Sequence, residues 1–189
     1  MDYIKWIRSK VGSEMIILNF AGAIITNEEV QILLQRRRDK DAWGFPGGAM
    51  EIGESADETA KREVEEETGL KINIEELIGI YTKYFDEYPN GDRAQTIAFF
   101  YKGSICGGEI INENEESIEL RFLNKDEVPE LFNQQHNDVF NDLLIREREY
   151  IGSLILSFFI LIQRWSVYYI TPYLHFGLYP WLARSNSQI

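Results

Sequence analysis

The sequence has one cysteine, Cys106, and only five prolines among 189 residues. A lone cysteine excludes an internal disulfide framework and fits a reducing compartment, so a cytoplasmic location is expected. The opening MDYIKWIRSK carries charges with no apolar run behind them, so it does not read as a secretory signal. Cations are also scarce: 19 Lys and Arg against 31 Asp and Glu give a net charge of −12. Binding to a nucleic acid polymer is not expected, because phosphate backbones need clustered Lys and Arg. A small anionic ligand would have to be bridged to such a chain by a cation.

The acids themselves stop abruptly. None lies beyond Glu149, and only two basic residues do, Arg164 and Arg184, so the charge is −14 up to that point and +2 after it. The segment from Tyr150 is crowded with aromatics between Phe158 and Trp181. A boundary near Tyr150 is therefore expected, with one domain over 1–149 and an apolar extension over 150–189. The run Ile151–Ile162 is too short for a membrane span. Extending it would bury Arg164 in hydrocarbon, at about 2.5–3.5 kcal/mol, and Pro172 and Pro180 would interrupt one helix. Three readings stay open: packing on the domain or a second copy, a membrane-surface anchor, or an abnormal terminus. Packing or a homodimer is favoured, and no membrane span is expected.

Before the boundary, apolar periodicity and turn residues suggest alternating strands and helices. Asp2–Ser9 reads as a short helix. Glu14–Thr26 and Val30–Arg36 read as a hairpin, and Trp43–Gly48 as a turn region. Ser55-Ala56-Asp57-Glu58 has the form of a capping box, so a helix should run to Thr68 and end on Gly69. Leu77–Tyr88 and Gln95–Ile105 read as strands joined by a turn at Pro89–Asp92, with Asn90-Gly91 its favoured pair. Glu119–Leu123 is a further strand, and Pro129 should open a last helix reaching Arg146. The sum is an α+β fold with a mixed or antiparallel sheet and helices against it.

The helix over 56–68 carries the chemistry. At about 100° per residue, Glu63 and Glu67 lie roughly 40° apart, with Glu66 about 60° beyond Glu63. Ala56 and Ala60 share their side, whereas Lys61, Glu65 and Glu58 lie opposite. Glu63 and Glu67, at positions i and i+4, should therefore face the protein body, where charge is costly unless paired or metal-bound. A Glu run is most often a solvated helix face, but here the acids line up with the small residues. Carboxylate oxygens, with water and phosphate oxygens, are what Mg²⁺ prefers. Gly47-Gly48 precedes the helix and allows close backbone approach to a ligand, and Glu54 adds another carboxylate.

Gly48, Glu54, Arg62, Glu63, Val64, Glu66, Glu67, Gly69 and Leu70 fall at the spacing G-x5-E-x7-R-E-U-x-E-E-x-G-U, where U is a bulky aliphatic residue. This resembles the box of the Nudix hydrolases, the MutT-like proteins among them. The resemblance in element order covers about 2–146. It implies an α/β/α sandwich and hydrolysis of a diphosphate linking a nucleoside to another moiety, such as ADP-ribose, a dinucleoside polyphosphate or an oxidised dNTP. It also implies Mg²⁺ or Mn²⁺ held by Glu63, Glu66 and Glu67 with the Gly47 carbonyl. Arg62 would orient a catalytic glutamate, most plausibly Glu63, and Glu54 would join them. Which glutamate is the base stays open.

A further metal-binding acid is expected from the loop after the sheet. Glu113, Glu115 and Glu116 are candidates, with Glu116 best placed, although a solvated loop run is the commoner meaning. Arg36, Arg37 and Arg38 read equally as phosphate contacts or as a plain exposed basic cluster; Arg36 is taken as the phosphate contact, with Gly48 and Tyr88 as further substrate contacts. Tyr88 and Pro89 do not separate a dinucleoside polyphosphate reader from an ADP-ribose reader. Tyr81, Tyr84 and Phe85 offer stacking surface, yet strand aromatics are usually core. His136 and His175 sit in no motif and are taken as structural. Two other classes stand beside the hydrolase: a Nudix-like sensor that binds nucleotide intact, and a membrane-attached adaptor working through its tail.

Overall fold

The computed structural model describes residues 2–88, 90–111 and 116–174, with side chains through 157. The chain divides into two compact units, 1–143 and 144–189. The division falls a few residues before the composition change at Tyr150.

The first unit holds seven described strands in one sheet. In chain order the elements are α1 (Tyr3–Val11), β1 (Ile16–Thr26), β2 (Ile32–Arg37), β3 (Ala42–Gly44), β4 (Gly47–Ala49), α2 (Ala56–Thr68), β5 (Leu70–Glu87), β6 (Arg93–Gly108) and β7 (Ser117–Leu123). A 3-10 turn at Lys125–Glu127 follows, then α3 (Gln134–Leu174). The sheet path is β3-β2-β1-β6-β5, with β4 paired to β1 and β7 to β2. β1 runs parallel to β6 over its whole length, from Ile16 beside Ala94 to Thr26 beside Ser104, and the other pairings are antiparallel. The sheet is therefore mixed.

Both faces of the sheet are covered. On one, Ile24, Leu34, Phe45, Ile78 and Phe100 pack with Val139 and Leu143 from the start of α3. On the other, Ala23, Ile25, Leu33, Leu70 and Ile72 pack with Val64 of α2. Alternation along β1 and β2 sends successive side chains to opposite cores, which is why these strands are apolar nearly throughout. The two-sided burial makes the expected α/β/α sandwich.

Several boundaries differ from the sequence reading. β5 starts at Leu70, directly after Gly69, because Leu70 and Ile72 already alternate with exposed Lys71 and Asn73. Residues 43–48 hold two short strands, β3 and β4, rather than a plain turn. Pro129 does not open α3. The Phe132 amide donates to the Trp43 carbonyl and the Leu131 amide to Asn137 Oδ1. The helix begins only where Asn133 Oδ1 accepts from the His136 amide. At its other end α3 continues to Leu174, with Pro172 in its last turn. Among the described residues no helix is long and apolar enough to cross a membrane.

His136 is structural, as expected. It is buried against Phe45, Phe100 and Phe132, and its Nδ1 accepts from the Phe45 amide at 3.1 Å. Burial, with the nearby positive charge of Arg37, pushes its pKa down to about 3. The unfolded chain therefore binds a proton that the folded chain refuses between about pH 6.5 and 3, and stability is lost as pH falls through that window. The slope is at most about 1.4 kcal/mol per pH unit. His136→Gln keeps an acceptor for Phe45 and removes the titration. Denaturant unfolding at pH 7.5 and 5.0 should show the wild type losing stability relative to this variant at the lower pH. An unchanged difference between the two proteins would contradict a buried neutral His136.

Candidate active site

The site is built where β4 and the loop 50–55 lead into α2. Ser55 caps the helix: its Oγ accepts from the Glu58 amide while Glu58 Oε2 accepts from the Ser55 amide at 2.9 Å. Gly69, at φ 78°, ends it with a bond to the Glu65 carbonyl. A Cβ at Gly69 would also crowd the Ile111 side chain, so glycine is required there twice over. Between these caps Ala60, Val64 and Glu67 face inward, and Glu58, Lys61, Glu65 and Glu66 face solvent. The wheel expectation thus holds for Glu67, which is 3% exposed, and largely for Glu63. Glu66, about 60° further round the wheel, lies outside that face, and its side chain is 61% exposed.

Arg62 is the hub. Its Nε and Nη2 grip the two oxygens of Glu54 at 2.6 and 2.8 Å. Nη1 donates to Glu63 Oε1 at 2.7 Å and Glu66 Oε2 at 3.1 Å, and Nη2 donates again to the Ala49 carbonyl at 3.0 Å. These are five bonds for the five donors of a guanidinium. Bidentate pairing to Arg62 holds the Glu54 carboxyl down to about 2 and raises the guanidinium further above its usual value. Glu54 is thereby fixed as a permanent anion that orients Arg62.

Glu63 and Glu67 sit differently. Burial raises the Glu63 carboxyl, against the lowering effect of Arg62, and the charges of Glu66 and Glu116 add to the rise. Burial also raises Glu67, although its Oε2 accepts from the Gly47 amide at 2.8 Å, and Glu63 pushes in the same direction. Gly48 packs directly on the Glu63 carboxylate, so that a Cβ there would collide with it. Gly47 packs on Gly22 of β1, whose Cα would lie 2.6 Å from a Gly47 Cβ. The Gly47-Gly48 pair therefore serves close approach to β1 and to Glu63 within the protein itself.

These groups line one cavity of about 720 Å³ together with Gly47, Gly48, Glu66 and Glu116. Tyr88, also on its wall, has its phenol pushed up to about 12, mainly by burial. Glu116 stands near enough for its charge to act on Glu63 and Arg37. Glu113, Glu115 and Pro89 lie outside the described residues. Arg36 is not on the wall: it points away and pairs with Asp41 at 2.8 Å. Arg37 is there instead, held by Asp39 and stacked over Phe132. Strand alternation explains the exchange, since neighbours on β2 face opposite sides. Tyr81 and Tyr84 bond to Asp142 and Asp138 on α3, and neither they nor Phe85 are on the wall.

The sequence reading missed Gln35, Asp39, Lys40, Asp86 and Asn133. Only Gln35 carried a signal, as a polar residue directly after the apolar run Ile32–Leu34. It is fully buried, its Nε2 donates to Ser117 Oγ, and it bonds the Glu67 side chain.

The donors fit a divalent cation in kind: carboxylates raised by burial and by neighbouring acids, Gly47 on the same wall, and a buried Gln35 Oε1 without a partner. Among the described residues, no three acidic side chains are gathered closely enough to hold an ion as they stand. Glu63 and Glu66 are turned to Arg62 instead.

A mixed sheet between helices, with a carboxylate-lined cavity and an arginine clamp midway along α2, suits a hydrolase that works on phosphate anhydrides. The comparisons agree. Residues 19–143 match the NUDIX domain model. A putative 8-oxo-dGTP diphosphatase of Bacillus subtilis is 37% identical over 109 residues, covering 58% of this chain and 68% of that protein. An ADP-ribose pyrophosphatase of Methanocaldococcus jannaschii is 31% identical, over 57% of this chain and 62% of that one. In fold, the chain is similar to a crystal structure of MutT protein from Methanosarcina mazei Go1, at TM-score 0.57 and 24% identity over 71% of this chain and 97% of that one. The chain belongs to the NUDIX family, as a hydrolase acting on phosphoric anhydride bonds.

A divalent cation at these carboxylates should stabilise the folded chain, by about 2.7 kcal/mol at one hundred times its dissociation constant. Thermal melting with and without Mg²⁺ or Mn²⁺ should show a rise of several degrees in the wild type and a much smaller one in Glu67→Gln. Equal rises in both proteins would remove Glu67 from the metal site.

Proposed function

We propose that this chain is a Mg²⁺- or Mn²⁺-dependent pyrophosphohydrolase that cleaves the diphosphate of a nucleotide, with an oxidised purine dNTP as its first candidate substrate. The observation that carries the reading is the Glu54–Arg62–Glu63 network on the floor of the cavity, beside buried Glu67. A volume near 720 Å³ suits one nucleotide. The substrate choice is supported by the names of relatives, the Bacillus protein above and the 8-oxo-dGTP diphosphatase of Haemophilus influenzae, which is 36% identical over 90 residues. ADP-ribose is the next candidate, on the name of the archaeal relative. Action on a free nucleotide suits a cytoplasmic enzyme. Residues 150–189 are an extension outside this activity.

Each residue has a task in this reading. Glu63, Glu66, Glu67, Glu116 and the Gly47 carbonyl would hold the cation. When bound, it would neutralise phosphate charge and lower the pKa of water. Glu63, raised by burial, is the first candidate to take the proton of the attacking water. Arg62 holds Glu63 in place, and Glu54 holds Arg62. Arg37, Gly48 and Tyr88 contact the substrate from the wall.

The test is hydrolysis of 8-oxo-dGTP, ADP-ribose, dinucleoside polyphosphates and nucleotide sugars with Mg²⁺ or Mn²⁺. The wild type should release a nucleoside monophosphate from at least one, with 8-oxo-dGTP foremost. Glu63→Gln should lower kcat by about 10²–10⁴-fold. Undiminished activity in both Glu63→Gln and Glu67→Gln would sink the roles. Tight binding of intact nucleotide without turnover would replace the hydrolase by a sensor.

A further inference from the structure

Helix α1 precedes the residues matched by the family model, which start at 19. It is nevertheless fastened at its start to the loop before α2 and at its end to the β5–β6 turn. At its start the Tyr3 amide donates to both carboxylate oxygens of Glu51, at 3.1 and 3.2 Å. At its end Arg8, only 12% exposed in its side chain, donates to the carbonyls of Gly12, Glu14 and Arg93 and pairs with Asp92. The helix thus ties the β5–β6 turn to the loop that precedes α2, and its cap residue Asp2 lies on the cavity wall.

Glu51 continues inward. Its amide donates to Glu54 Oε2 at 3.0 Å, on the carboxylate that Arg62 grips. Thr59 Oγ1 donates to the same oxygen at 2.9 Å. Hydrogen bonds therefore link the first amide of α1 to the Glu51 carboxylate and, across the covalent frame of Glu51, its amide to Glu54, Glu54 to Arg62 and Arg62 to Glu63. The carboxylate of Glu51 has its place fixed by α1, and its backbone fixes Glu54. An anchor at one end of such a path restricts the groups at the other.

We infer that α1 is a working part of this active site, and that Glu51 is a positioning residue through which the Tyr3 amide holds Glu54, and hence Arg62, in register. The inference rests on the hydrolase reading for its effect on rate, but not for the tether itself.

Tyr3 is the first residue of the helix, where proline is tolerated because its missing N–H has no partner within the helix. Tyr3→Pro therefore deletes the donor to Glu51 and leaves the helix, while Tyr3→Ala removes the ring and keeps the donor. Hydrogen exchange in the full chain should quicken across 49–55 in Tyr3→Pro and stay at the wild-type rate in Tyr3→Ala. On a substrate that the wild type hydrolyses, Tyr3→Pro and Glu51→Ala should each lower kcat about threefold to tenfold, the worth of one hydrogen bond, with KM little changed. Their double variant should be no slower than either alone. Glu51→Gln, which keeps an acceptor, should recover most of the rate. Unchanged exchange in Tyr3→Pro would overturn the tether. Altered exchange with wild-type kcat, or fully additive losses, would overturn the positioning role. Should the wild type hydrolyse no nucleotide, the hydrolase reading fails separately, and exchange alone decides the tether.

Discussion

The site depends on one guanidinium. Arg62 spends every N–H it has, two on Glu54, one each on Glu63 and Glu66, and one on the Ala49 carbonyl. It ties the end of β4, the loop and the outer face of α2 into one piece. A lysine would offer a point charge and three donors, and would not reproduce the planar fork that holds both oxygens of Glu54. Removing Arg62 would leave Glu54 and Glu63 close together with nothing between them. The chain thus keeps several like charges within one helix turn and a loop by threading a single cation among them.

Two carboxylates are compensated less fully than Glu54. Glu67 gains the Gly47 amide, the charge of Arg37 and Gln35, and Glu63 shares Arg62 with two other acids. Both are raised chiefly by burial, in contrast to Glu54, which Arg62 pulls down. Environment separates side chains of the same type into a fixed anion and groups open to proton or cation. The separation is set by how much of Arg62 each receives and how much water each retains.

Much of this was legible in the sequence. The capping box, the helix limits and the inward turn of Glu67 follow from spacing within one helix, where the period of 3.6 is rigid. The box residues lie within a short stretch, so their proximity needs little tertiary knowledge. What failed depended on partners far along the chain. Arg36 and Arg37 are adjacent and alike, and only the sheet decides which one faces the cavity. The start of α3 was misplaced because the Trp43 carbonyl, remote in the chain, and the nearby Asn137 side chain claim the amides of Phe132 and Leu131. Glu66 lies off the inward stripe, and its length lets it stay exposed and still reach Arg62. The parallel pairing of β1 with β6 likewise joins segments about 80 residues apart, and strand patterns alone do not say which strands are neighbours.

The cavity has two halves with different origins. Its floor is drawn almost wholly from residues 47–67, one continuous stretch, whereas its walls take Asp2, Arg37, Asp86, Tyr88 and Asn133 from segments scattered over the chain. Substitutions in the scattered half can alter the shape offered to a ligand without disturbing the clamp around Arg62. Such a molecule is free to drift in what it admits while staying fixed in the bond it breaks, so its chemistry and its selectivity can have separate evolutionary histories.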